Sequence, residues 1–536
     1  MTIHGGTDDL VPAVADGLLG PYAAEDFELT TGALVPTRIT PSALFYFRDE
    51  CIAVARQGIP AAAYARRTPT LDDVAAWSRE VPLDAPGDRP PLVLLGAPLR
   101  SDAACLSSDA RTLTVSGRAH PFALAPRLAL NRSWFDASSA AFLSGRPLRL
   151  RASASGATIV GRTFWPADFR VAEDIPFDPL PPGLPATLAL RSAMRADPRG
   201  GARLPFAARI ISKRDQGTEG CKDKPVLAVI VNGAQGDDDE AWAGHFAIGT
   251  GRLGADGALA DLLVDNFYAL DVESEKGILA APVPLDGYFG DLNRGQSWYR
   301  PSFMLIATLR GEEVPRLVQG AFNRVYQQFW RHQLRYRHST MNCTGISVDV
   351  LRTLGWDIAA RWPAAGLRAS LAIPYALLRE RSLAKARMAY EYLTQDATRV
   401  FPAAAFEETG ASLLRLCTRG AAPGDGRLAA MLARDLESLV LVRIPQFPSS
   451  RCFGTAPVVG PDEYRSVVPG NPEDMQIVPV PPRPFPRELR DPDLLPPPRN
   501  PSDVPLAAWL AVAALALLAA VAAIAAACLR ALALVA

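Results

Sequence analysis

The sequence has no surplus of charge, because 56 Lys and Arg balance 56 Asp and Glu. Such a chain has little spare cation with which to neutralise phosphates, so nucleic-acid binding is not expected. Histidine is scarce: His4, His120, His245, His332 and His338 are the only five, which leaves imidazole chemistry a short candidate list. The seven cysteines, at 51, 105, 221, 343, 417, 452 and 528, include no C-x-x-C pair, which excludes zinc-ribbon and thioredoxin-like readings. An odd count in so long a chain also argues against a disulfide scaffold. The patterns G-x-x-x-x-G-K-[ST], G-x-S-x-G and H-E-x-x-H are missing, so neither a cofactor nor a metal is expected. The acidic run at 236–240 (GDDDE) lacks the glycine turn and distal glutamate of a calcium loop and reads as a solvated loop. The first 21 residues carry no basic segment and no unbroken apolar stretch, unlike a secretory signal.

What is present is ample core material: 49% hydrophobic and 21% charged residues over 536 positions, enough for two to four folded units at roughly 100–200 residues each. Residues 1–203 read as a mixed, β-leaning N-terminal domain. Strand-like alternation occurs at 111–117, 146–156 and 157–165, with a short helix at 71–80. Residues 204–365 form a second unit, and 366–455 a helix-rich subdomain with apolar spacing. A linker follows at 456–505, where 15 prolines fall between 457 and 505 and favour an extended polyproline II spacer. Residues 506–528 are 23 positions without a charge. As a helix at about 1.5 Å per residue they would reach roughly 34 Å, so a C-terminal transmembrane helix is expected. Three arginines (Arg487, Arg490 and Arg499) precede this span and only Arg530 follows it, which favours a cytoplasmic bulk on a single-pass anchor.

The 204–365 unit carries the chemistry. Strands are expected at 224–233, 243–253, 259–271 and 302–311. A helix then spans 312–333, with Val314, Leu317, Val318, Phe322, Val325 and Phe329 on one face. A second helix opens at Asn342-Cys343-Thr344. Asn342 is a good N-cap, Ile346, Val350, Leu351 and Leu354 share an apolar face, and Gly355 ends it. Cys343 therefore sits in the first turn, where the helix dipole favours a thiolate. A cysteine so placed is a nucleophile candidate if a histidine reaches it. His245, near the start of its strand, is the preferred base. Asp265 or Asn266, on the neighbouring strand, would orient the ring. His338 is the competing base, in the basic run 331–339.

The pairing of GHFAIGTG (244–251) with YRHSTMNCTGISVDVLRTLG (336–355) resembles circularly permuted members of the NlpC-type papain-like cysteine hydrolase superfamily. The nearest likeness is to the Lnb N-terminal periplasmic domain type and, more distantly, to lecithin:retinol acyltransferase-like enzymes. The resemblance spans residues 225–356. It implies an α+β fold with a permuted papain-like core of antiparallel sheet plus helices, Cys343 as a thioester-forming nucleophile and His245 as its general base. The stretch 272–301 departs from the pattern. The resulting expectation is a membrane-anchored thiol hydrolase or acyltransferase, resident in the bacterial inner membrane and acting on a peptide, cell-wall or lipid substrate. The alternative is a membrane-tethered binding or scaffolding protein with an inert core.

Overall fold

The computed structural model describes residues 9–450, apart from 33–44, 58–67, 83–88, 127–134, 196–203, 215–219, 235–242, 271–277, 299, 335 and 363–365, together with scattered positions beyond 450. The acidic run 236–240 and nearly all of the proline-rich segment thus lie outside the described residues.

The N-terminal region is built on alternation. In Thr158–Pro166 and Pro147–Ser155, apolar side chains turn to one side and pack together as Leu148, Leu150, Ile159 and Phe164. These strands pair antiparallel with one another. With Leu99–Leu106, Thr112–Val115 and Arg118–Leu124 they close into a five-stranded ring, because Leu99–Leu106 pairs with both Pro147–Ser155 and Thr112–Val115. A three-stranded sheet lies beside it, made of Phe27–Thr31, Cys51–Ala55 and Val93–Leu94.

The second unit is a seven-stranded antiparallel sheet of β1 (Ala207–Lys213), β2 (Pro225–Asn232), β3 (His245–Arg252), β4 (Leu263–Asn266), β5 (Ala281–Pro284), β6 (Ser302–Leu309) and β7 (Leu436–Ile444). Its spatial order is β1-β7-β6-β2-β3-β4-β5. Every residue of β2 is buried, as its unbroken apolar run PVLAVIVN requires of a strand covered on both faces. β7 enters between β1 and β6, so the helix-rich stretch beyond 366 also supplies a strand of this sheet. Its run LESLVLVRI was not distinguished from the helices around it by local pattern.

The helices follow: α1 (Leu285–Gly290), α2 (Glu313–Phe329), α3 (Cys343–Thr353), α4 (Gly366–Glu380), α5 (Leu383–Thr394), α6 (Ala397–Val400), α7 (Pro402–Arg419) and α8 (Arg427–Asp435). α2 packs on β2 and β3, and α3 on β3. Buried ion pairs join the closed ring to this unit. Arg151 Nε donates to Asp286 of α1 at 2.7 Å and Arg149 Nε to the same carboxylate at 3.1 Å. Burial works against ionising Asp286, yet Arg151 and then Arg149 hold its carboxyl below the usual range.

The architecture is mixed α+β with several sheets, and the expectation of a C-terminal transmembrane helix is corrected. Among the described residues no helix is long and apolar enough to cross a membrane. Only single positions of 506–528 are described, Leu518 and Val521 among them, both exposed, and the rest of the run lies outside the described residues. Alanine supplies 13 of those 23 residues.

Candidate active site

His245 opens β3 directly after Gly244, whose backbone adopts φ +98°. A Cβ at Gly244 would stand 2.3 Å from the Asn232 carbonyl oxygen, so only glycine lets β3 start this close to β2. The ring of His245 is 1% exposed. It lies between Tyr268 and Tyr288, at centroid distances of 5.8 and 6.3 Å. Tyr288 is itself fixed, since its hydroxyl donates to Asn232 Oδ1 while Asn232 Nδ2 donates to Ser302 Oγ at 2.8 Å.

Strand parity separates the two candidates for orienting the ring. Ile248 lies opposite Asp265 in the β3–β4 register, so Asp265 shares the face of Ile248 and Thr250. Asn266 falls on the other face, which His245 shares. Asp265 accepts from Gln319 Nε2 of α2 at 3.0 Å, and Thr250 donates to Gln319 Oε1 at 2.5 Å. Burial pushes the Asp265 carboxyl well above its ordinary range against the opposing Gln319 bond. Asp265 is therefore a core group under the sheet, pushed toward its neutral form and away from the ring, and Asn266 is the residue beside it.

Asn266 Nδ2 donates to the Leu279 carbonyl at 3.3 Å, which sets the amide plane. Among the described residues, His245 Nε2 and Asn266 Oδ1 are both buried without a hydrogen bond of full geometry. Each is the group the other lacks. Burial is the main force on the His245 pKa and lowers it to about 3. The Arg300 cation lowers it further, and Asn266, as acceptor, opposes both.

Cys343 is the first residue of α3, capped as its sequence requires. Asn342 Oδ1 accepts from Gly345 N–H at 3.0 Å, and Asn342 Nδ2 donates to the His338 and Val400 carbonyls at 2.8 and 3.0 Å. This single side chain ties the Cys343 turn to the end of α6. Cys343 is 4% exposed. Burial pushes its thiol up, against the Phe246 N–H, Thr344 and Arg300, which favour the thiolate. The dipole argument from sequence is thus reversed in sign. A helix terminus contributes about 0.3–1 kcal/mol, less than the desolvation of a buried charge.

Cys343 and His245 line one small cavity of about 20 Å³, together with Tyr268, Tyr336, His338 and Tyr392. His338 is half-buried in this wall, its ring edge-on to Tyr336 at 5.3 Å. The Tyr336 hydroxyl lies against Cys343, near both its backbone N–H and its sulfur. Arg300, Tyr288 and Tyr336 were not identified from sequence. Arg300 and Tyr288 fall in 272–301, which follows no recognisable pattern; only their place beside β3 and β6 brings them to the site. Arg300 is fully buried, and its charge acts on His245, Tyr288 and Cys343 together. Among the described residues no cluster of His, Cys, Asp or Glu is arranged to hold a metal ion.

No family model, curated protein or solved structure matches the chain.

Proposed function

We propose that this protein is a cysteine-dependent hydrolase or acyltransferase in which Cys343 is the nucleophile, His245 the general base and Asn266 the residue that orients the ring. The observation that carries the reading is that Cys343 and His245 line one cavity while the Asn266 side chain acts on the imidazole. Papain-like geometry of this kind, in the order histidine strand then cysteine helix, is also what the motif resemblance implies.

Both reacting groups are neutral at rest, because burial raises the thiol and lowers the imidazole. Attack is then general-base catalysis, without a preformed thiolate–imidazolium pair. The Cys343 proton passes to His245 as the sulfur–carbon bond forms, and the carbonyl electron pair moves onto oxygen. The Cys343 backbone N–H, the Tyr336 hydroxyl beside Cys343 and the Arg300 charge are the groups that would stabilise that oxyanion. One such donor is worth roughly 3–4 kcal/mol. Collapse breaks the bond to the leaving amine or alcohol, which takes the proton from His245 and leaves a thioester on Cys343. Water completes hydrolysis, and an alcohol or amine acceptor completes transfer.

Near-complete burial of both groups is what favours the second reading, a binding protein with an inert core. A direct test is incubation of the full chain with p-nitrophenyl butyrate, following intact mass and peptide mapping. One butyryl group on Cys343, missing from C343A and slowed in H245Q, is the expected result. Equal acylation of wild type and C343A, or none in either, overturns the catalytic reading.

A further inference from the structure

The hairpin of α4 and α5 has apolar residues on two faces. Ala369, Ile373 and Ala376 of α4 are buried, the last two against Ala386 of α5. On the opposite side Leu371, Tyr375 and Leu378 are 43%, 59% and 82% exposed. Their spacing of four and then three residues makes them one continuous stripe. Trp362, just before α4, is 70% exposed, and Leu383 and Met388 of α5 are exposed as well. A helix that is apolar all round belongs in a core or against a lipid phase, and nothing described covers this one.

The charge beside the stripe is net positive. Over 366–394 the sequence carries Arg368, Arg379, Arg381, Lys385 and Arg387 against Glu380 and Glu391, in a chain whose total is zero. Arg379, Arg381 and Lys385 are exposed around the turn between the helices. Glu391 is buried, bonded to Ser339 at 2.5 Å and Arg387 at 2.8 Å. Exposed Trp, Tyr and Leu with flanking Arg and Lys is the chemistry of an interfacial amphipathic element, which sinks its apolar face to headgroup depth and sets its cations against anionic lipid.

We propose that the α4–α5 hairpin docks this protein onto the surface of an anionic bilayer. The docking is peripheral: the stripe lies in the interface and crosses nothing. The hairpin joins the candidate site at one end, where Tyr392 of α5 lines the cavity of Cys343 and Glu391 holds Ser339, four residues before the nucleophile. Docking would therefore present the cavity rim to the membrane and make a lipid-borne acyl group the substrate. That last step rests on the catalytic reading, whereas docking itself does not.

The test is hydrogen–deuterium exchange on the full chain, with and without vesicles of phosphatidylcholine containing phosphatidylglycerol. Exchange resolves residues 366–394 from the apolar run 506–528. Vesicles are expected to slow amide exchange in 366–394 by roughly tenfold, in wild type and in C343A alike, with the effect lost in L371S/Y375S/L378S and weakened in R381E/K385E. Unchanged exchange in 366–394 overturns the proposal, as does equal protection in the triple variant. Protection that grows with protein concentration in the absence of vesicles overturns it too, by making the face an interface between copies. Equal protection on pure phosphatidylcholine overturns the anionic assignment. Loss of docking with Cys343 still acylated would sink this inference alone; docking without acylation would sink the catalytic reading alone.

Discussion

The buried imidazole of His245 makes the stability of the fold depend on pH in a way that one substitution isolates. Its folded pKa lies near 3, against about 6.5 in an unfolded chain. Between those values the unfolded chain binds a proton that the folded protein refuses, so stability falls as pH falls below about 6.5. With 2.303RT at about 1.36 kcal/mol, lowering the pH from 7 to 5 costs about 2 kcal/mol through this one group. The figure barely moves for any folded value below about 4, because the folded ring then stays neutral throughout the interval. The perturbation is H245Q, which removes the titration and keeps a neutral polar side chain. Urea unfolding followed by tryptophan fluorescence at pH 7 and pH 5 gives the loss for each protein. Wild type should lose about 2 kcal/mol more than H245Q over that interval, every other titrating group cancelling in the difference. Parallel losses would mean that the ring takes up a proton inside the fold, and would refute the buried, neutral base on which the mechanism rests.

Other consequences are as direct. N266A should slow acylation of Cys343 by roughly 10²-fold or more, measured as p-nitrophenol release, while leaving urea stability within about 1 kcal/mol of wild type. D265N should change neither acylation nor stability by more than about 1 kcal/mol, since burial already favours the neutral form of Asp265 and an amide oxygen can still accept from Gln319. D286A leaves Arg149 and Arg151 buried without their shared carboxylate and should cost about 3–5 kcal/mol in urea unfolding. G244A forces a Cβ against the Asn232 carbonyl at φ +98° and should cost about 1–3 kcal/mol, read by the same assay.

Much of the local structure was legible in the sequence. The helix cap at Asn342 was readable because Asn342, Ile346, Val350 and Gly355 act within a few residues of one another, and the cap bond to Gly345 forms at 3.0 Å. The strands at 224–233, 243–253 and 302–311 and the helix at 312–333 were marked by runs and periods of the same short range. Other elements were not legible. β7 looks like its helical neighbours until β1 and β6 are there to receive it. Asp265 and Asn266 are adjacent in sequence and equally suited by type, and only the pairing of Asp265 with Ile248 tells which of them faces the ring.

By itself, the sequence determined the pieces: a capped helix with a cysteine in its first turn, a strand with histidine near its start, and two adjacent carboxylate and amide candidates. Capping, periodicity and backbone sterics are local, so a short window contains them. The tertiary structure decided everything that sums over distant neighbours. It put Asn266 and not Asp265 beside His245, brought Arg300 and Tyr288 to the site from a stretch without pattern, and made the Cys343 thiol harder, not easier, to ionise. It also left one face of α4 uncovered. Burial and field strength come from groups tens of residues to about a hundred apart, and desolvation, the largest of these effects, has no signature in any segment of chain.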